Sequence, residues 1–542
     1  TSSRRRNESD RAVGEAASSF NDSAEEAEKI DKYRMGAAIS FAVMLLVIGI
    51  PLWWKTTEVH RAALPYSQIE AMDPSSVTIR MKIWVSASSP TRTSNIIMLL
   101  KSSLVDHQVL KVDALPLKMG LDDVTFEVFE KHNSRWLPET LGNLILVEVP
   151  SLNGSDILFT NDRIVYFSPN ADVNVLARLV KEHLLHDYNL VSKVVSIVSP
   201  QNLSVKDDTF LNALRASPSY DVVLTVINSD PEHLAVNWDV ASDLRRYFQP
   251  LLNQVDDISS HHVKSQWLYL LDLGETPKMD SAGVNVLSFS QLPHIITPLE
   301  KRLGSGISKN PCVHLVLYIV GCTQIPLKFL TEPGDYVDSM ISPQWGGIQL
   351  LNPEPENCEN GTVLEPNSKQ VIGLFTSQFH SLLGIQQMTT DGVVNVTKRN
   401  GPLLRGWELD SLYRTRIVEQ ITSASLTLQS LSKLLGEIGN IVINEEVASS
   451  INLAVDHVYK ARQLLDDGKL LEALEFSKSA FSASERAFSD PSLLALLYFP
   501  DDQKYAVYIP LFLPIMIPVL MSLKKIYSWM FSRSAIPDVK AD

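Results

Sequence analysis

Two uncharged apolar segments lie near opposite ends of this chain of 542 residues, at Met35–Trp54 and Tyr505–Leu523. As α-helices rising about 1.5 Å per residue, both are close to the length that crosses a hydrocarbon core of roughly 30 Å. A helix buried in a soluble core is usually shorter and carries polar residues on one face. We therefore predict transmembrane helices at 35–54 and 505–523, so the remainder must fold between two membrane attachments.

Basic residues predict the orientation of these helices. Lys and Arg are concentrated before Met35 and after Leu523, whereas the inner flanks carry few. Because Lys and Arg in short flanking segments mark the cytosolic side, the tails 1–34 and 524–542 are predicted to be cytosolic and polar. The first segment is too long for the apolar part of a signal peptide and is not followed by a small-residue cleavage site. It is expected to be a retained signal anchor, with the chain between the two helices in the lumen.

The segment between the helices, about 450 residues, is large enough for more than one unit with its own core. Its charge argues against nucleic acid as a partner, because the whole chain carries −14 and no basic cluster appears in this segment. The chain has three cysteines, Cys312, Cys322 and Cys358, so it can form one disulfide at most.

From Val77 to Gly384, short β-branched runs alternate with amphipathic stretches, as is typical of an α/β fold. The predicted strands are Val77–Val85, Leu144–Val149, a hairpin Ile157–Phe167 turning at Asn161–Asp162, Val194–Val198, Val222–Ile227, Trp267–Leu273 and Val313–Val320. The predicted helices are Val173–His186, Val240–Val255, capped by Asp239, and Val371–Leu383. The fold expected for 55–405 is a lumenal α/β domain, a mixed sheet flanked by helices.

After Trp407 the apolar spacing is helical only, and 406–490 is predicted to form an α-helical stalk or bundle of hairpins. The predicted stripes run from Tyr413 to Ile438, from Ile451 to Leu465, and along Leu474, Phe481 and Phe488. A stalk joining the α/β domain to the membrane is the simpler interpretation. The alternative is a peptide-binding groove, because the pair around Gly468 resembles a tetratricopeptide hairpin.

The end nearest the second membrane segment is unusual. Asp490–Pro491 has the pattern of a helix start, and a juxtamembrane helix is predicted over 491–504. Within the second segment, Pro510, Pro514 and Pro518 recur every four residues and so share one side of a helix. We interpret them either as a contact face for other transmembrane helices or a lipid head group, or as kinks that local adjustment tolerates.

A search for catalytic chemistry finds none of the usual signatures. The sequence has no His-Glu-x-x-His, paired-Cys metal spacing, phosphate-binding loop, nucleophile elbow or dinucleotide fingerprint, and we expect no catalytic residue, metal or cofactor. His261–His262 is interpreted as a solvated turn rather than a metal site. Cys312 and Cys322 lie in or beside a predicted strand and are interpreted as small buried hydrophobes rather than nucleophiles.

Four sequons fall in the predicted lumenal segment. Asn360 lies in a Pro- and Asn-rich stretch, 352–368, and is the best placed for glycosylation, which needs exposed flexible backbone. The candidate acceptors are Asn360, Asn395, Asn202 and Asn153.

Six blocks of the sequence closely resemble the PIG-S family, in the same order and over most of the chain. They are GIPLWWKTTEVHRAALPYSQI at Gly49–Ile69, WDVASDLRRYFQPLLNQV at Trp238–Val255, QLPHIITPLEKRLGS at Gln291–Ser305, SPQWGGI at Ser342–Ile348, LLGEIGNIVINEEVAS at Leu434–Ser449 and SERAFSDPSLLALLYFPDDQKYAVYIPLFLP at Ser484–Pro514.

This resemblance implies a non-catalytic structural subunit of the glycosylphosphatidylinositol (GPI) transamidase of the endoplasmic reticulum membrane. That complex cleaves the C-terminal signal of a precursor and attaches a preformed GPI anchor. The implied partners are caspase-like PIG-K, which carries the catalytic Cys and His, PIG-T, PIG-U and the multispanning amide-forming subunit. The precursor protein and the GPI lipid are further candidates, and Asn360 is the one position the resemblance carries over.

Two alternatives stay open beside the subunit. One is a membrane-anchored lumenal enzyme with an atypical active site, which would need several ionisable groups converging in one pocket. The other is a peptide receptor that uses the helical hairpins.

Overall fold

The computed structural model describes the residues 26, 29–57, 60–103, 109–117, 141–150, 152, 156–185, 187–199, 213–304, 308–332, 334–359, 363–385, 388, 394–438, 441–494 and 501–532. The chain divides into two compact units. The larger comprises Ala63–Glu437 and Glu445–Asp490, and the smaller comprises the two termini with Ile438–Asn444.

The described residues of the larger unit form three β-sheets. The strands are β1 Ile79–Ser86, β2 Leu110–Pro116, β3 Leu144–Glu148, β4 Ile157–Phe159, β5 Ile164–Phe167, β6 Ser219–Asn228, β7 Ser260–Tyr269, β8 Lys278–Met279, β9 Asn285–Ser288, β10 Cys312–Ile319, β11 Leu327–Leu330, β12 Tyr336–Val337, β13 Ser339–Ser342, β14 Gly346–Leu351 and β15 Val394–Val396. Their order is β15-β4-β5-β3-β1-β2 in a six-stranded sheet, β13-β14-β10-β6-β7 in a five-stranded sheet and β12-β11-β9-β8 in a four-stranded sheet.

Helices occur in both units of the described chain. They are α1 Lys29–Leu52, α2 Tyr66–Glu70, α3 Pro90–Ser103, α4 Val173–Leu179, α5 Asp187–Val198, α6 Val240–Tyr247, α7 Gln249–Gln254, α8 Leu292–Arg302, α9 Pro355–Glu359, α10 Ser368–Leu382, α11 Gly406–Glu437, α12 Glu445–Asp466, α13 Leu470–Phe488, α14 Pro491–Leu494 and α15 Asp501–Ser532. The predicted mixed α/β architecture with C-terminal helices is therefore confirmed.

The five-stranded sheet is parallel except at β13, and its central strands are the most apolar. β6 and β10 are buried along almost their whole length, because helices and the four-stranded sheet cover both faces. The continuous apolar runs at Val222–Ile227 and Val313–Val320 predicted these strands correctly. The six-stranded sheet contains the predicted hairpin, in which β4 and β5 pair antiparallel.

The predictions for three segments of this region are wrong, namely Val194–Val198, Trp267–Leu273 and Val240–Val255. Val194–Val198 belongs to α5, where Leu190 and Val194, four residues apart, are both buried. The strand predicted at Trp267–Leu273 begins earlier, at Ser260, so the His261–His262 pair lies within a strand and not in a turn.

The helix predicted over Val240–Val255 is two helices, α6 and α7, which meet at Phe248. Pro250 stands in the first turn of α7, where its missing backbone donor is tolerated. The predicted cap is present, because Asp239 accepts a hydrogen bond from the Ser242 amide at 3.1 Å.

The helical segment packs into the same unit as the sheets. The predicted stripe of α11 is buried, but so are charged residues on its other sides, and α11 packs against α5, α12 and α13. On α13, Leu474 of the predicted stripe is buried together with Ala473, Ala480 and Ala487, whereas Phe488 is half exposed. The small side chains let α13 lie close to its neighbours.

The smaller unit contains one helix, α1, that is long and apolar enough to cross a membrane by the residues described. α15 is continuous through Pro510, Pro514 and Pro518, and all three prolines are exposed. Its role as a second span stays a prediction. Of the juxtamembrane helix predicted over 491–504, α14 covers four residues, and 495–500 lie outside the described residues.

The chain after α1 and the link between α11 and α12 are held together in this smaller unit. The Ala62 amide donates to the Ile443 carbonyl and the Ile443 amide to the His60 carbonyl, both at 3.1 Å. The Asn444 side chain donates to Ser492 Oγ at 3.2 Å, just inside α14. These contacts tie together the segments that follow α1 and precede α15.

Gly346 explains the glycine pair of the SPQWGGI block. It has a φ of +148°, and a Cβ there would lie 1.9 Å from the His314 carbonyl oxygen of β10. A side chain on Gly347 would lie 2.3 Å from Gln378 Oε1. Only glycine lets β14 pair with β10 while α10 packs on its face.

We therefore expect Gly346→Ala to destabilise the folded chain by about 3 kcal/mol or more, because backbone rather than a flexible side chain fills the space. Gly373→Ala is the matched control, since Gly373 lies exposed in α10 with no atom within 4 Å of its added Cβ. It should be neutral or stabilising by up to about 1 kcal/mol. Thermal unfolding of the full chain in detergent measures both, and equal melting temperatures would contradict the expectation.

Candidate functional site

The carboxyl ends of parallel strands are where open α/β sheets usually bind ligands, at the point where the chain leaves neighbouring strands in opposite directions. Here that point lies between β6 and β10, which are adjacent. After β6 the chain continues to β7 on one side, and after β10 it continues to β14 on the other. Any substrate pocket of the sheet is expected first at this position.

The polar groups at this position are used in structural contacts. Ser229 Oγ donates to the Ile319 carbonyl at 2.8 Å. Asp230 accepts a hydrogen bond from the Cys322 amide at 3.3 Å and contacts His233 Nδ1 at 2.7 Å. Burial works to raise the pKa of Asp230, but these partners outweigh it and the pKa is lowered. A serine that donates to a carbonyl is not activated as a nucleophile.

A disulfide covers the same edge. Cys322, just after β10, is bonded to Cys358 in α9, with an S–S distance of 2.12 Å. Beyond α9, the Leu364 amide donates to the Ala235 carbonyl at 2.8 Å and the Asn237 amide to the Leu364 carbonyl at 3.0 Å. The loops after β6, β10 and β14 are thereby joined to one another at this edge. The sequence had allowed one disulfide without identifying its partners.

Cys312, the cysteine outside the disulfide, lies at the opposite end of β10. Burial raises the pKa of its thiol, and the nearby Asp221 carboxylate also acts to raise it. Asp221 itself accepts hydrogen bonds from Asn310, Lys264 and Ser308, which hold its pKa far below the usual range. A thiol that stays protonated beside a fixed carboxylate is unsuited to nucleophilic attack.

The histidine pair does not form a metal site. His261 is half-buried between the rings of Tyr220 and Phe379, at 6.0 and 5.8 Å between centroids, and burial lowers its pKa to about 4. His262 is exposed, and successive residues of a strand point to opposite faces. Across the described ranges, no group of three or more His, Cys, Asp or Glu residues is arranged to hold a metal ion.

The densest cluster of charges is instead buried along the first half of α11. Glu408 accepts from Arg399 Nη2 at 2.8 Å, from Arg405 Nη1 at 2.7 Å and from the Arg405 amide at 2.8 Å. Its side chain is 2% exposed, so both arginines meet it out of contact with bulk water. Charge-assisted bonds of this kind are strong and fix the geometry at the start of the helix.

Two residues further along α11, Asp410 binds the six-stranded sheet. Arg163, from the turn between β4 and β5, donates to both carboxylate oxygens at 2.6 and 2.8 Å. The Gly142 amide, just before β3, donates to the same group at 3.0 Å. A bidentate arginine fixes both distance and orientation, so α11 is held in one register against this sheet.

Near the middle of the helix, Glu419 binds the elements that lead into the five-stranded sheet. It accepts from Arg416 at 2.7 Å, from Lys193 of α5 at 3.1 Å and from the Ala216 amide at 3.1 Å. Arg416 in turn donates to the Leu214 carbonyl at 2.7 Å. α11 is therefore joined to the six-stranded sheet by the ion pair between Asp410 and Arg163, to α5 by the ion pair between Glu419 and Lys193, and to the chain before β6 by hydrogen bonds with Leu214 and Ala216.

Burial works to raise the pKa values of Glu408 and Glu419, but the neighbouring cations outweigh it and both pKa values are lowered. These carboxylates stay ionised, and a group held as a fixed anion cannot act as a general acid near neutral pH. The adjoining cavity, lined by Lys193, Glu408 and Arg416, holds about 30 Å³, which is room for about one water molecule. The cluster is built to brace the fold and not to receive a substrate.

An open groove lies near the other end of α11. It has a volume of about 450 Å³ and is lined by residues of α2 and of the last turns of α11, among them Glu70, Lys433 and Glu437. Its charges are of mixed sign and its mouth is wide. Ser432 and Tyr66 bring hydroxyl groups to its lining, and neither a cysteine nor a histidine is among the described residues that line it.

The sequence-predicted site residues are mostly outside these features. Asn395 lies exposed on β15, an edge strand of the six-stranded sheet. Asn153, Asn202 and Asn360 lie outside the described residues. Sequence reasoning missed the α11 carboxylates, and the one readable signal was the group of acids and bases between Glu408 and Glu419, in the first half of the helix.

Comparisons with known proteins agree with one another. A sequence model of the family described as "PIG-S: Phosphatidylinositol-glycan biosynthesis class S protein" matches residues 40–533. The "GPI-anchor transamidase component PIGS" of Bos taurus is 34% identical over 537 residues, covering 91% of this chain and 94% of the relative. The Homo sapiens protein of that name is also 34% identical with the same coverage. The Schizosaccharomyces pombe "GPI transamidase component PIG-S homolog" is 28% identical, covering 88% and 80%.

Glu419→Gln should destabilise the chain at pH 7 by about 3 kcal/mol, because Arg416 and Lys193 would stay buried without their counter-charge. The folded pKa of Glu419 lies below its ordinary value of 4.5. Its stabilisation is therefore complete above pH 4.5 and lost as the pH falls through the lowered folded pKa. The variant should lose that part of the acid dependence, measured by thermal unfolding from pH 7 to pH 3. Glu475→Gln, at an exposed position of α13, is the control. Equal melting temperatures of the two variants at each pH would refute a stabilising role for the Glu419 ion pairs.

The double variant Cys322→Ser with Cys358→Ser should lower the free energy of unfolding by about 4 kcal/mol in the chain-entropy account of a bridge spanning 36 positions. Cys312→Ser, which leaves the bridge intact, should change it little. Melting curves recorded without reductant compare the wild-type chain, the double variant and the Cys312→Ser variant. A wild-type melting temperature that does not fall when reductant is added would argue against a stabilising bridge.

Proposed function

This chain belongs to the PIG-S family, and we infer from that membership that it is a component of the GPI-anchor transamidase. The observation that carries this function is the family match over residues 40–533, together with relatives of that name at 34% identity over 91% of the chain. The similarity extends along nearly the full length of the chain, so a single domain shared by otherwise different proteins does not explain it. The complex cleaves the C-terminal signal of a precursor and joins the new C-terminus to a preformed GPI anchor.

Within the complex, the role we assign to this chain is structural and not catalytic. Three features support that role: the joined loops at the carboxyl edge of β6 and β10, the raised pKa of the Cys312 thiol, and carboxylates on α11 that are fixed by cations. A hydrolytic or transfer site would need an open pocket, a reactive nucleophile and a carboxyl group able to exchange protons, and each of the three features counts against one of these. The catalytic cysteine and histidine then belong to a caspase-like component, PIG-K.

The rigid lumenal unit supplies what a scaffold needs. Because α11 is tied to the six-stranded sheet and to α5 by buried ion pairs, and to the chain entering β6 by hydrogen bonds, surfaces on either sheet keep a constant relation to each other. Such a unit can hold PIG-T, PIG-U and the multispanning amide-forming component in fixed positions. The precursor protein or the GPI lipid would then meet surfaces that several components form together.

The proposed topology has two spans, α1 and α15, with both tails in the cytosol and the larger unit in the lumen of the endoplasmic reticulum. The apolar length of α1 and the lysines and arginines outside both helices support it. Pro510, Pro514 and Pro518 give α15 a side with missing backbone donors, where another transmembrane helix or a lipid head group would contact it. Asn360 and Asn395, with Asn153 and Asn202, are the proposed glycan acceptors.

Purification of the tagged full chain in mild detergent tests these statements together. We expect a caspase-like component and multispanning proteins in near-equal amounts, with glycan on Asn360 in the mass spectra of its peptides. A complex carrying Cys312→Ser should keep its transamidase activity, whereas replacing the nucleophile of the caspase-like component should abolish it. A chain that purifies alone and without glycan would refute the proposed function.

A further inference from the structure

The open groove between α2 and the last turns of α11 has walls that hydrogen bonds hold in place. Gln429 of α11 donates to the Met72 carbonyl, just after α2, at 2.6 Å. Tyr459 of α12 donates to the Gln68 carbonyl of α2 at 2.9 Å. The groove is therefore formed before any ligand enters it. Its volume of about 450 Å³ lies within the range of about 300–1,000 Å³ that is usual for small-molecule sites.

A glycine of α11 leaves space in this groove. Gly436 lines it, and a Cβ added to Gly436 would have no heavy atom within 4 Å. Glycine is less favourable than alanine inside a helix, so the position gains nothing in helix stability from lacking a side chain. A larger residue at this position would place its side chain in the groove.

The Ser432 hydroxyl, one turn before Gly436, lines the groove without a hydrogen-bond partner. The residue is 7% exposed, and its hydroxyl forms no hydrogen bond with any residue that the structure describes. Helix hydroxyls commonly donate to the carbonyl four residues earlier, as Thr415 of the same helix does to Ser411 at 2.9 Å. Because a buried polar group without a partner costs free energy, a ligand that bonds to Ser432 would recover that cost.

Three charged side chains line the same groove. They are Lys433 and Glu437 of α11 and Glu70 of α2. Within the described ranges, none of the three forms an ion pair or a side-chain hydrogen bond. Lys433 precedes Glu437 by four residues, which is the less favourable order for an ion pair along a helix. One cation and two carboxylates are therefore available to a ligand.

These groups fit a ligand that carries charges of both signs. A lysine ammonium binds phosphate oxygens as a point charge, and carboxylates accept hydrogen bonds from a primary ammonium group. A purely anionic ligand would be repelled by Glu70 and Glu437, and a purely cationic one would be repelled by Lys433. Both walls are helical, so they offer no row of backbone groups to an extended peptide.

We propose that this groove binds a phosphoethanolamine group, with its phosphate at Lys433 and Ser432 and its ammonium at Glu70 and Glu437. The chemistry of recognition is the same for a free phosphoethanolamine and for the head group of a lipid. All the groups that form the site belong to this chain, so the proposal goes beyond the proposed function and does not presume an assembled complex.

Calorimetric titration of the full chain in a sugar detergent with O-phosphoethanolamine measures this binding. We expect an affinity at least about tenfold higher than for phosphocholine, which has the same phosphate but no N–H donor, or for inorganic phosphate. No binding by the wild-type chain, or equal affinities for the three compounds, would overturn the proposal.

Gly436→Leu places a side chain in the groove and should weaken the binding of O-phosphoethanolamine about tenfold or more. Gly373→Leu, at the exposed position of α10 that also has no atom within 4 Å of its added Cβ, is the matched control and should bind as the wild-type chain does. Leucine is a good helix former, so both variants should fold. Equal affinities of these two variants would contradict the site.

Lys433→Gln keeps the test decisive if Gly436→Leu folds poorly. It should weaken binding about tenfold through the loss of a charge-assisted contact, whereas Lys369→Gln, at an exposed position of α10, should not. If the two lysine variants bind equally, the assignment of the phosphate to Lys433 is wrong and the proposal fails.

Bilayers separate the two sources of the ligand. The full chain in phosphatidylcholine nanodiscs is titrated with O-phosphoethanolamine, with and without phosphatidylethanolamine in the bilayer. A lower apparent affinity when that lipid is present would show competition by its head group, and an unchanged affinity would assign the site to a free group. Loss of binding in both bilayers would overturn the proposal. Recovery of other transamidase components with the wild-type chain is a separate measurement, so failure of the site and failure of the proposed function are distinguishable.

Discussion

The buried ion pairs of α11 are the constraint on which the arrangement of the larger unit depends. Asp410 holds the turn between β4 and β5 through Arg163, and Glu419 holds α5 and the chain leading into β6. The six-stranded sheet cannot shift along the helix without separating Arg163 from Asp410, and α5 cannot shift without separating Lys193 from Glu419; leaving a charge unpaired away from water costs several kcal/mol. The helix thus makes one body from two sheets whose strands do not pair with each other.

The polar groups at the carboxyl edge of the five-stranded sheet are also used in contacts within the fold. At the carboxyl edge of β6 and β10, Asp230 and Ser229 bind backbone groups, and the bridge between Cys322 and Cys358 joins the surrounding loops. An edge used in this way stabilises the fold but offers no reacting group to a substrate. Membership of the PIG-S family places such a chain in the GPI-anchor transamidase, where a component can contribute surfaces instead of chemistry.

Apolar spacing predicted the elements well where burial is uniform. The runs in β6 and β10 are buried on both faces, and the α11 stripe repeats at helical spacing, so each pattern has one structural solution. The strand predicted at Val194–Val198 was wrong because a short β-branched run occurs in helices as well as in strands, and α5 buries Val194 while Val198 stays exposed. His261 failed because polarity predicted exposure, whereas the rings of Tyr220 and Phe379 enclose it.

The sequence by itself determined the two apolar segments, the mixed α/β class, the helical C-terminal part and, through its resemblance, the family. These follow from local spacing and composition, which can be read from residues that lie close together in the sequence. Only the tertiary structure decided which two cysteines pair, which charges on α11 are buried and which strand stands at the edge of its sheet. Those outcomes depend on residues far apart in sequence, such as Arg163 and Asp410, and no local pattern records such distances.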